Sequence, residues 1–211
     1  MAVNAEEICN KALTRLGIKQ LIGVLATDVA AGMEEAVICN MYYTFARDTV
    51  LAEFAYMFAQ VRKTLVASAE APWDGWGYAY DPPTSPVVLS PVAVVPPGYA
   101  MRGHDRDGNN PYAMVHSGVT DGQLILTDLP AAVMYYVTRI TDTTKFPVEF
   151  EDAVAWRLAM EISMPLNADI KKASWAKAMY ADKVKGAQSA TLNNFQSEDA
   201  MPEAESVSAR S

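Results

Sequence analysis

MEEAVICNMYYTFARDTVLAEFAYMFAQVRKTL, residues 33–65, is the stretch in which the hydrophobic pattern of this chain changes its period. No Pro or Gly interrupts residues 33–54. Apolar side chains keep a helical spacing there at Met33, Val37, Met41, Phe45 and Leu51. Arg47 and Asp48 fall among the positions that this helix is expected to expose. From residue 58 the pattern is closer to period two, so the stretch predicts a long helix that leads into a β segment.

Further helices are predicted on both sides of the β segment. Asn4 can cap a first helix, Gly17 can end it, and Thr27-Asp28 can cap the long helix. After the β segment, Pro147 suits a helix start, Pro165 ends that helix and Asp169 can cap a last one. The apolar faces are expected at Ile8, Ala12 and Leu16, at Phe150, Val154, Leu158 and Ile162, and at Ile170, Ala173, Tyr180, Val184 and Ala187.

The enclosed segment is rich in Pro, Gly, Trp and Tyr and indicates turns and short strands. Residues 87–89 and 92–95 are expected to be two strands separated by Pro91, residues 96–111 a loop, residues 112–116 and 123–127 a hairpin, and residues 133–140 a strand. The predicted class is α+β: a helical bundle of about four helices with an inserted small antiparallel β domain. The expected boundaries are 1–57 and 141–195 for the helical domain, 58–140 for the β domain, and 196–211 for a flexible C-terminal tail.

Composition limits the function classes. The chain has 211 residues, 51% of them hydrophobic, and a net charge of −8. It contains no apolar run long enough for a bilayer and no basic leader, so we expect a soluble protein made in a cytoplasm. The negative charge disfavours general nucleic-acid binding. Lysines crowd one late segment, where they indicate a solvated helix face or an acidic protein partner: Lys171, Lys172, Lys177, Lys183 and Lys185.

The usual catalytic and metal-binding patterns are missing from the sequence. Cys9 and Cys39 lie among apolar neighbours and are expected to be buried thiols. His104 and His116 have no partner at a useful spacing. Residues 105–109 resemble a calcium loop but fail its register, which leaves a polar turn and at most a weak ion site. We therefore predict no enzyme, no metal and no cofactor.

Acidic residues near the predicted helix start allow one alternative. Glu149 and Glu151 could form the carboxylate pair of a polysaccharide-degrading enzyme. Acids in the first turns of a helix are explained more simply by the helix dipole.

Four aromatic side chains lie in the turn-rich segment, at Trp73, Trp76, Tyr78 and Tyr80. Trp and Tyr beside Pro and Gly suit a contact loop, because they offer large rigid area at a small entropy cost. They equally suit the small core of a hairpin, and the two roles are compatible.

Several short motifs, in order, resemble a known family. They are Cys39-x-x-x-Tyr43, Arg47-Asp48-x-x-Leu51, Phe58-Ala59 with Arg62 and Leu65, Tyr78-Ala79-Tyr80 before a Pro turn, and residues 155–159 followed by 164–166. Together they resemble tail tubular protein A, the head-to-tail adaptor family of short-tailed bacteriophages. The likeness covers nearly the whole chain except residues 96–111 and the tail.

The resemblance implies a structural virion protein, assembled in the host cytoplasm. Members form a ring, typically of twelve copies, between the portal protein and the tail nozzle protein around the DNA channel, without sequence-specific DNA binding, membrane contact or catalysis. On this view Trp73, Trp76, Tyr78 and Tyr80 contact the nozzle or a neighbouring subunit. The portal is contacted by Asn194, Phe195, Glu198 and Asp199. A head-completion connector of a long-tailed phage is a further alternative, against which the long β insertion argues.

Overall fold

The computed structural model describes residues 4–99, 110–119, 122–166 and 169–193. The helices are α1 (Ala5–Arg15), α2 (Leu25–Ala30), α3 (Glu34–Glu53), α4 (Val148–Ile162) and α5 (Ile170–Asn193). The strands are β1 (Gln60–Thr64), β2 (Val66–Ala67), β3 (Tyr78–Asp81), β4 (Val88–Val95), β5 (Tyr112–His116), β6 (Gln123–Thr127) and β7 (Val133–Thr138). The predicted α+β class is confirmed: within these ranges the chain has five helices and two small antiparallel sheets.

The ends of α1 agree with their prediction. The side chain of Asn4 accepts a hydrogen bond from the backbone N–H of Glu7 at 2.8 Å, which satisfies one of the free donors of the first turn. Gly17 follows the helix with φ +74°, a left-handed conformation that glycine adopts without steric penalty. Ile8, Ala12 and Leu16 are buried as expected.

The predicted start of the long helix was wrong. Thr27 and Asp28 lie inside the short helix α2, where the Asp28 carboxylate accepts from the backbone N–H groups of Gly23 at 2.7 Å and Val24 at 3.2 Å. Gly32, with φ +75°, then separates α2 from α3, and Met33 is the N-cap of α3 without a side-chain bond. The extra helix was missed because six residues carry too little periodicity to be read.

The expected apolar face of α3 was wrong in part: Leu51 is buried as predicted, but Met41 and Phe45 are not. Met41 and Phe45 are 66% and 53% exposed. The buried face of the helix is instead formed by Ala36, Cys39, Tyr43, Ala46, Arg47, Val50 and Leu51. Arg47, expected at the surface, is only 5% exposed, because its charge is paired inside the fold. The buried face therefore combines small side chains, such as Ala36, Cys39 and Ala46, with larger ones, such as Tyr43 and Leu51.

Helix α4 lies at the centre of the helical part and packs against α1, α3 and α5. Phe150, Val154, Leu158 and Ile162 are buried as predicted. The helix ends at Ile162, and one further turn is closed by a hydrogen bond from the N–H of Leu166 to the carbonyl of Ile162 at 3.1 Å, so Pro165 lies past the helix end. Asp169 accepts from the N–H of Lys171 at 2.9 Å at the start of α5. Ile170, predicted on the apolar face of α5, is 73% exposed.

An aromatic cluster fills the place where the chain leaves the helices and returns to them. Tyr56, Phe58, Phe146 and Phe150 lie before and after the β segment, and the Tyr56 and Phe150 rings meet edge to face at 5.1 Å. The centroid of the Phe58 ring lies 4.9 Å from that of Phe150 and 6.2 Å from that of Phe146. Aromatic pairs in this geometry add stability beyond the area they bury.

The strands wrap around a small second core. One sheet has the order β1-β7-β4 and the other β2-β3-β6-β5. The N–H of Leu65, between β1 and β2, donates to the carbonyl of Ala132 at 2.9 Å, and the N–H of Asn110, just before β5, donates to the carbonyl of Val94 at 3.0 Å. The second core contains Leu65, Tyr80, Val94, Ile125, Ala132, Met134 and Tyr136.

The hairpin, the two strands around Pro91 and the loop predicted for this segment can be compared with the structure. The hairpin of β5 and β6 is confirmed, with Tyr112 opposite Thr127 and His116 opposite Gln123. Residues 87–89 and 92–95 do not form two strands: β4 is continuous through Pro91, with register shifts on both sides of it. Proline is tolerated there because β4 is an edge strand of its sheet. Of the loop at 96–111, only its ends lie in the described ranges.

Strand β7 belongs to both cores. Met134 and Tyr136 point into the small core, whereas Val137 packs with the helices. The predicted domain boundaries stay a prediction, and the tail at 196–211 lies outside the described residues. In the ranges given above, no helix is both long and apolar enough to cross a membrane.

Candidate functional site

The predicted aromatic contact segment begins at a tight turn. The N–H of Trp76 donates to the carbonyl of Trp73 at 3.1 Å, and between them Asp74 and Gly75 both have positive φ. Two successive residues of this kind are typical of a type I′ turn. The N–H of Gly77 then donates to the Asp128 carboxylate at 3.0 Å, which fastens the segment to the loop before β7.

The four aromatic residues divide between the two roles that the sequence allows. Trp73 and Tyr78 are exposed and Trp76 is half-buried. Tyr80 is buried in the small core, and its hydroxyl donates to the carbonyl of Leu129 at 2.6 Å. The side chains that a partner could reach directly are therefore Trp73 and Tyr78, and the Tyr80 ring stacks beside the Tyr78 ring with 6.5 Å between their centroids.

A buried contact that sequence reasoning missed lies beside the start of β6, whereas the aromatic turn is tied to the end of that strand. The Ser117 hydroxyl donates to the Glu70 carboxylate at 2.5 Å, and Ser117 itself is buried. The N–H of Val119 donates to the Ser117 hydroxyl oxygen at 3.1 Å. These bonds tie the end of β5 to the loop after β2, so two exposed loops are held in a fixed relation. Because Glu70 and Ser117 are 47 residues apart, no local sequence pattern predicts this hydrogen bond.

A charge network joins the helices to the β part. Arg47 donates two hydrogen bonds to Asp48, at 2.9 and 2.8 Å, and Arg139, just after β7, reaches the other oxygen of Asp48 at 2.7 Å. The Arg47 guanidinium also lies 5.9 Å from the Tyr43 ring. The Arg-Asp motif that carries part of the family resemblance is thus a structural junction.

A second charged cluster lines a cleft between α1, α4 and α5. Lys11 pairs with the buried Glu151, and Arg15 with Asp152. Lys183 of α5 lies 3.5 Å from Asp152. Next to these pairs is a cavity of about 340 Å³ that Glu149 and Glu151 both line. Glu149 is exposed, whereas the carboxylate of Glu151 is already held by an ammonium group.

The cysteines are buried, reduced and adjacent. A side-chain hydrogen bond with Cys39 and burial both raise the pKa of the Cys9 thiol, which keeps it protonated and unreactive. Among the described residues, no group of three or more His, Cys, Asp or Glu side chains could hold a metal ion. His116 is exposed at the end of β5. His104 and the loop at 105–109 lie outside the described residues.

The predicted portal contacts Asn194, Phe195, Glu198 and Asp199 also lie outside the described residues, directly after the end of α5 at Asn193. A comparison of the chain with models of known protein families finds no match, and a comparison with curated protein sequences finds none either.

Proposed function

We propose that this chain is a structural virion protein, the head-to-tail adaptor of a short-tailed bacteriophage. It forms a ring between the portal and the tail nozzle and leaves a central channel for DNA. The observation that carries the proposal is the location of the residues on which the family resemblance rests. Cys39, Tyr43 and Leu51 are buried in the helical core, and the Arg47-Asp48 pair joins α3 to the end of β7.

The location of these motifs supports a shared fold. Residues that determine packing and the junction between elements keep the same order in chains of the same architecture, whereas a functional motif can occur on unrelated folds. The same residues offer no chemistry of their own, because each is buried or paired. The proposed role is mechanical: the chain converts the surface of the portal into one that the nozzle recognises.

Two groups of residues are assigned to the partners. Trp73 and Tyr78 serve the nozzle or inter-subunit contact, while the backbone N–H of Trp76 closes the turn that carries Trp73 and the buried Tyr80 stacks beside Tyr78. The segment after α5, with Asn194, Phe195, Glu198 and Asp199, serves the portal. The net charge of −8 suits a channel through which DNA slides without adhering, since like charges repel.

Light scattering of the purified protein, alone and mixed with the portal protein of the same phage, tests the proposal. A complex of ring size in either condition is the expected result, and its mass gives the number of copies. A protein that stays a 23.0-kDa monomer and does not bind the portal would contradict the proposed adaptor function.

A polysaccharide-degrading enzyme is the second candidate, because Glu149 and Glu151 line one cavity. A glycosidase needs two carboxylates that face one cleft, one of them able to donate a proton. Glu149→Gln and Glu151→Gln variants would then each abolish the hydrolysis of a polysaccharide that the native chain degrades. If the chain is an adaptor, the native protein shows no such hydrolysis, and Glu151→Gln lowers stability more than Glu149→Gln does, because only Glu151 is buried and paired with Lys11.

A further inference from the structure

Helix α3 carries an apolar line on its outer surface in addition to its buried face. Met41, Phe45 and Ala52 are exposed and follow one another at spacings of four and seven residues, and the exposed acid Glu34 lies seven residues before Met41 on the same side. These spacings place them on one side of a helix. Met41 and Phe45 are 66% and 53% exposed, one turn apart. Adjacent large apolar side chains of this kind mark a contact surface more often than single ones do.

The charge around this line is negative. Of the four acidic residues of α3, Asp48 and Glu53 already pair with arginines, so the acids left for this surface are Glu34 and Glu35 in the first turn. The nearby cations are paired too: Arg47 and Arg139 pair with Asp48, and Arg157, which lies 5.6 Å from the Phe45 ring, donates to Glu161. We call this surface, with Glu34, Met41, Phe45 and Ala52 along its middle, the α3 face.

The outer surface of α5 has the opposite charge. This helix contains five lysines and one aspartate. Lys172 and Lys183 are engaged with α1 and α4, but Lys171, Lys177 and Lys185 are exposed, and no ion pair is formed by them within the described ranges. Ile170 and the small side chains Ala178 and Ala181 are exposed between them. We call this surface the α5 face.

The two faces are complementary to each other and not to themselves. Two α3 faces would bring acids together, and two α5 faces would bring lysines together, which is unfavourable in either case. An α3 face on an α5 face places apolar side chains together inside a rim of opposite charges. The helices have 20 and 24 residues, or about 30 and 36 Å, so they match in length.

We infer that the α3 face of one copy of this chain docks on the α5 face of the next copy. This inference rests on the proposed ring-forming function and names its subunit contact. Because the contact joins two different surfaces, it is heterologous, and repetition of such a contact closes a ring when the rotation between copies allows it. It also gives a partner to the apolar side chains that the fold of a single chain leaves outside.

Two variants that each block one face test the inference by light scattering and sedimentation. Met41→Ser/Phe45→Ser removes the apolar line of the α3 face, and Lys171→Glu/Lys177→Glu reverses the charge of the α5 face. We expect the native chain to assemble as its concentration rises and each variant alone to remain a 23.0-kDa monomer, with self-association weakened by at least about tenfold. An equimolar mixture of the two variants is expected to form a dimer and nothing larger, because only one intact face remains on each chain.

The control variant is Val66→Ser/Val119→Ser, which removes two exposed apolar side chains of the β part and should assemble like the native chain. Equal unfolding midpoints show that all variants are folded. A native chain that stays monomeric up to millimolar concentration overturns the inference, and so does a mixture that stays monomeric while the native chain assembles. If the lysine variant assembles normally but loses binding to duplex DNA, the α5 face is a nucleic-acid surface instead. Rings that form on the portal with both variants overturn the inference and leave the adaptor function standing.

Discussion

Asp48 is the residue with the most consequential partners in this chain. It accepts from the neighbouring Arg47 in the same helix and pairs with Arg139 at the far end of the β segment. The Arg47 guanidinium is buried, so its charge depends on that carboxylate for compensation. Arg139 is half exposed and depends on it much less. A single acid thus compensates one buried charge and links two parts of the fold.

Asp48→Asn is expected to lower the free energy of unfolding by about 3 kcal/mol, because it leaves a buried guanidinium without a counter-charge. Arg139→Gln is the matched control and is expected to cost less than about 1 kcal/mol, since its partner keeps Arg47. Urea titration followed by circular dichroism measures both. If both variants lost the same unfolding free energy, the half-exposed Arg139–Asp48 pair would account for the stabilisation.

Two buried tyrosines differ in what their hydroxyls contact. The Tyr56 hydroxyl is buried and has no hydrogen-bond partner among the described residues, whereas the Tyr180 hydroxyl donates to Glu53 at 2.5 Å. Tyr56→Phe is therefore expected to raise the free energy of unfolding by about 1 kcal/mol, and Tyr180→Phe to lower it by about 1.5 kcal/mol. Thermal or urea unfolding of the two variants decides the signs. A destabilised Tyr56→Phe protein would show that this hydroxyl does have a partner.

Alkaline pH is expected to destabilise the protein through its buried tyrosine side chains. Burial raises the pKa of Tyr43 from 10.0 to about 12, and burial also raises the pKa of Tyr56 and Tyr180. The unfolded chain releases these phenol protons at lower pH than the folded chain does, so the stabilisation is complete below pH 10 and is lost as the pH rises toward about 12.

The unfolding free energy, measured at a series of pH values, should thus be flat near neutral pH and fall above pH 10. Tyr43→Phe should make that fall shallower. An unchanged slope in this variant would mean that Tyr43 titrates normally in the folded protein.

At the scale of elements, β7 is the strand on which both cores depend. It lies between β1 and β4, and its alternating side chains enter the small core on one side and the helical core on the other. Strand alternation makes this possible, because successive side chains point to opposite faces. The central position also means that β7 cannot leave its sheet without exposing apolar side chains of both cores.

Met134→Ala and Val137→Ala are therefore expected to shift one common unfolding transition, although they belong to different cores. Met134→Ala should cost about 3 kcal/mol, because it empties a fully buried position. Tryptophan fluorescence and far-ultraviolet circular dichroism, recorded in the same titration, follow the loss of structure. If Met134→Ala produced a separate first transition, the β segment would unfold alone, which would support the predicted domain boundaries.

At the scale of the whole molecule, opposite charges occupy different helices. Glu34 in the first turn of α3 and the exposed lysines Lys171, Lys177 and Lys185 of α5 lie on outer surfaces of the same helical part, although the net charge of the chain is −8. This separation favours association between copies over general binding to polyanions. Trp73 and Tyr78 are exposed in the β part, outside both helices, which leaves them available to a different partner.

Deletion of residues 196–211 is expected to weaken binding to the portal and to leave the unfolding midpoint unchanged. The physical reason is that both cores are formed by residues up to Ala187 in α5, whereas the deleted segment is mainly polar and acidic. Binding of the truncated chain to an isolated portal ring, measured by interferometry, tests this. If the truncated chain bound the portal as tightly as the full chain, residues 196–211 would not form part of the portal contact.

The sequence by itself determined the elements whose signals are local. The Asn4 cap, the left-handed Gly17, the four-residue repeat of α4 and the hairpin of β5 and β6 follow from interactions within a few residues, and each agrees with its prediction. The α+β class followed from the change of period after α3. Burial of the two cysteines also followed, since their neighbours are apolar.

Tertiary structure decided which side of α3 is buried and what its charges do. Met41 and Phe45 satisfy a helical pattern but lie outside, because the side of α3 that packs on α1 and α4 is the one with Cys39, Tyr43 and Val50. Arg47 is buried because Asp48 compensates its charge and Arg139 arrives from 91 residues away. The division of the aromatic segment between Tyr80 in the core and Trp73 at the surface likewise depends on partners distant in sequence, and periodicity carries no information about such partners.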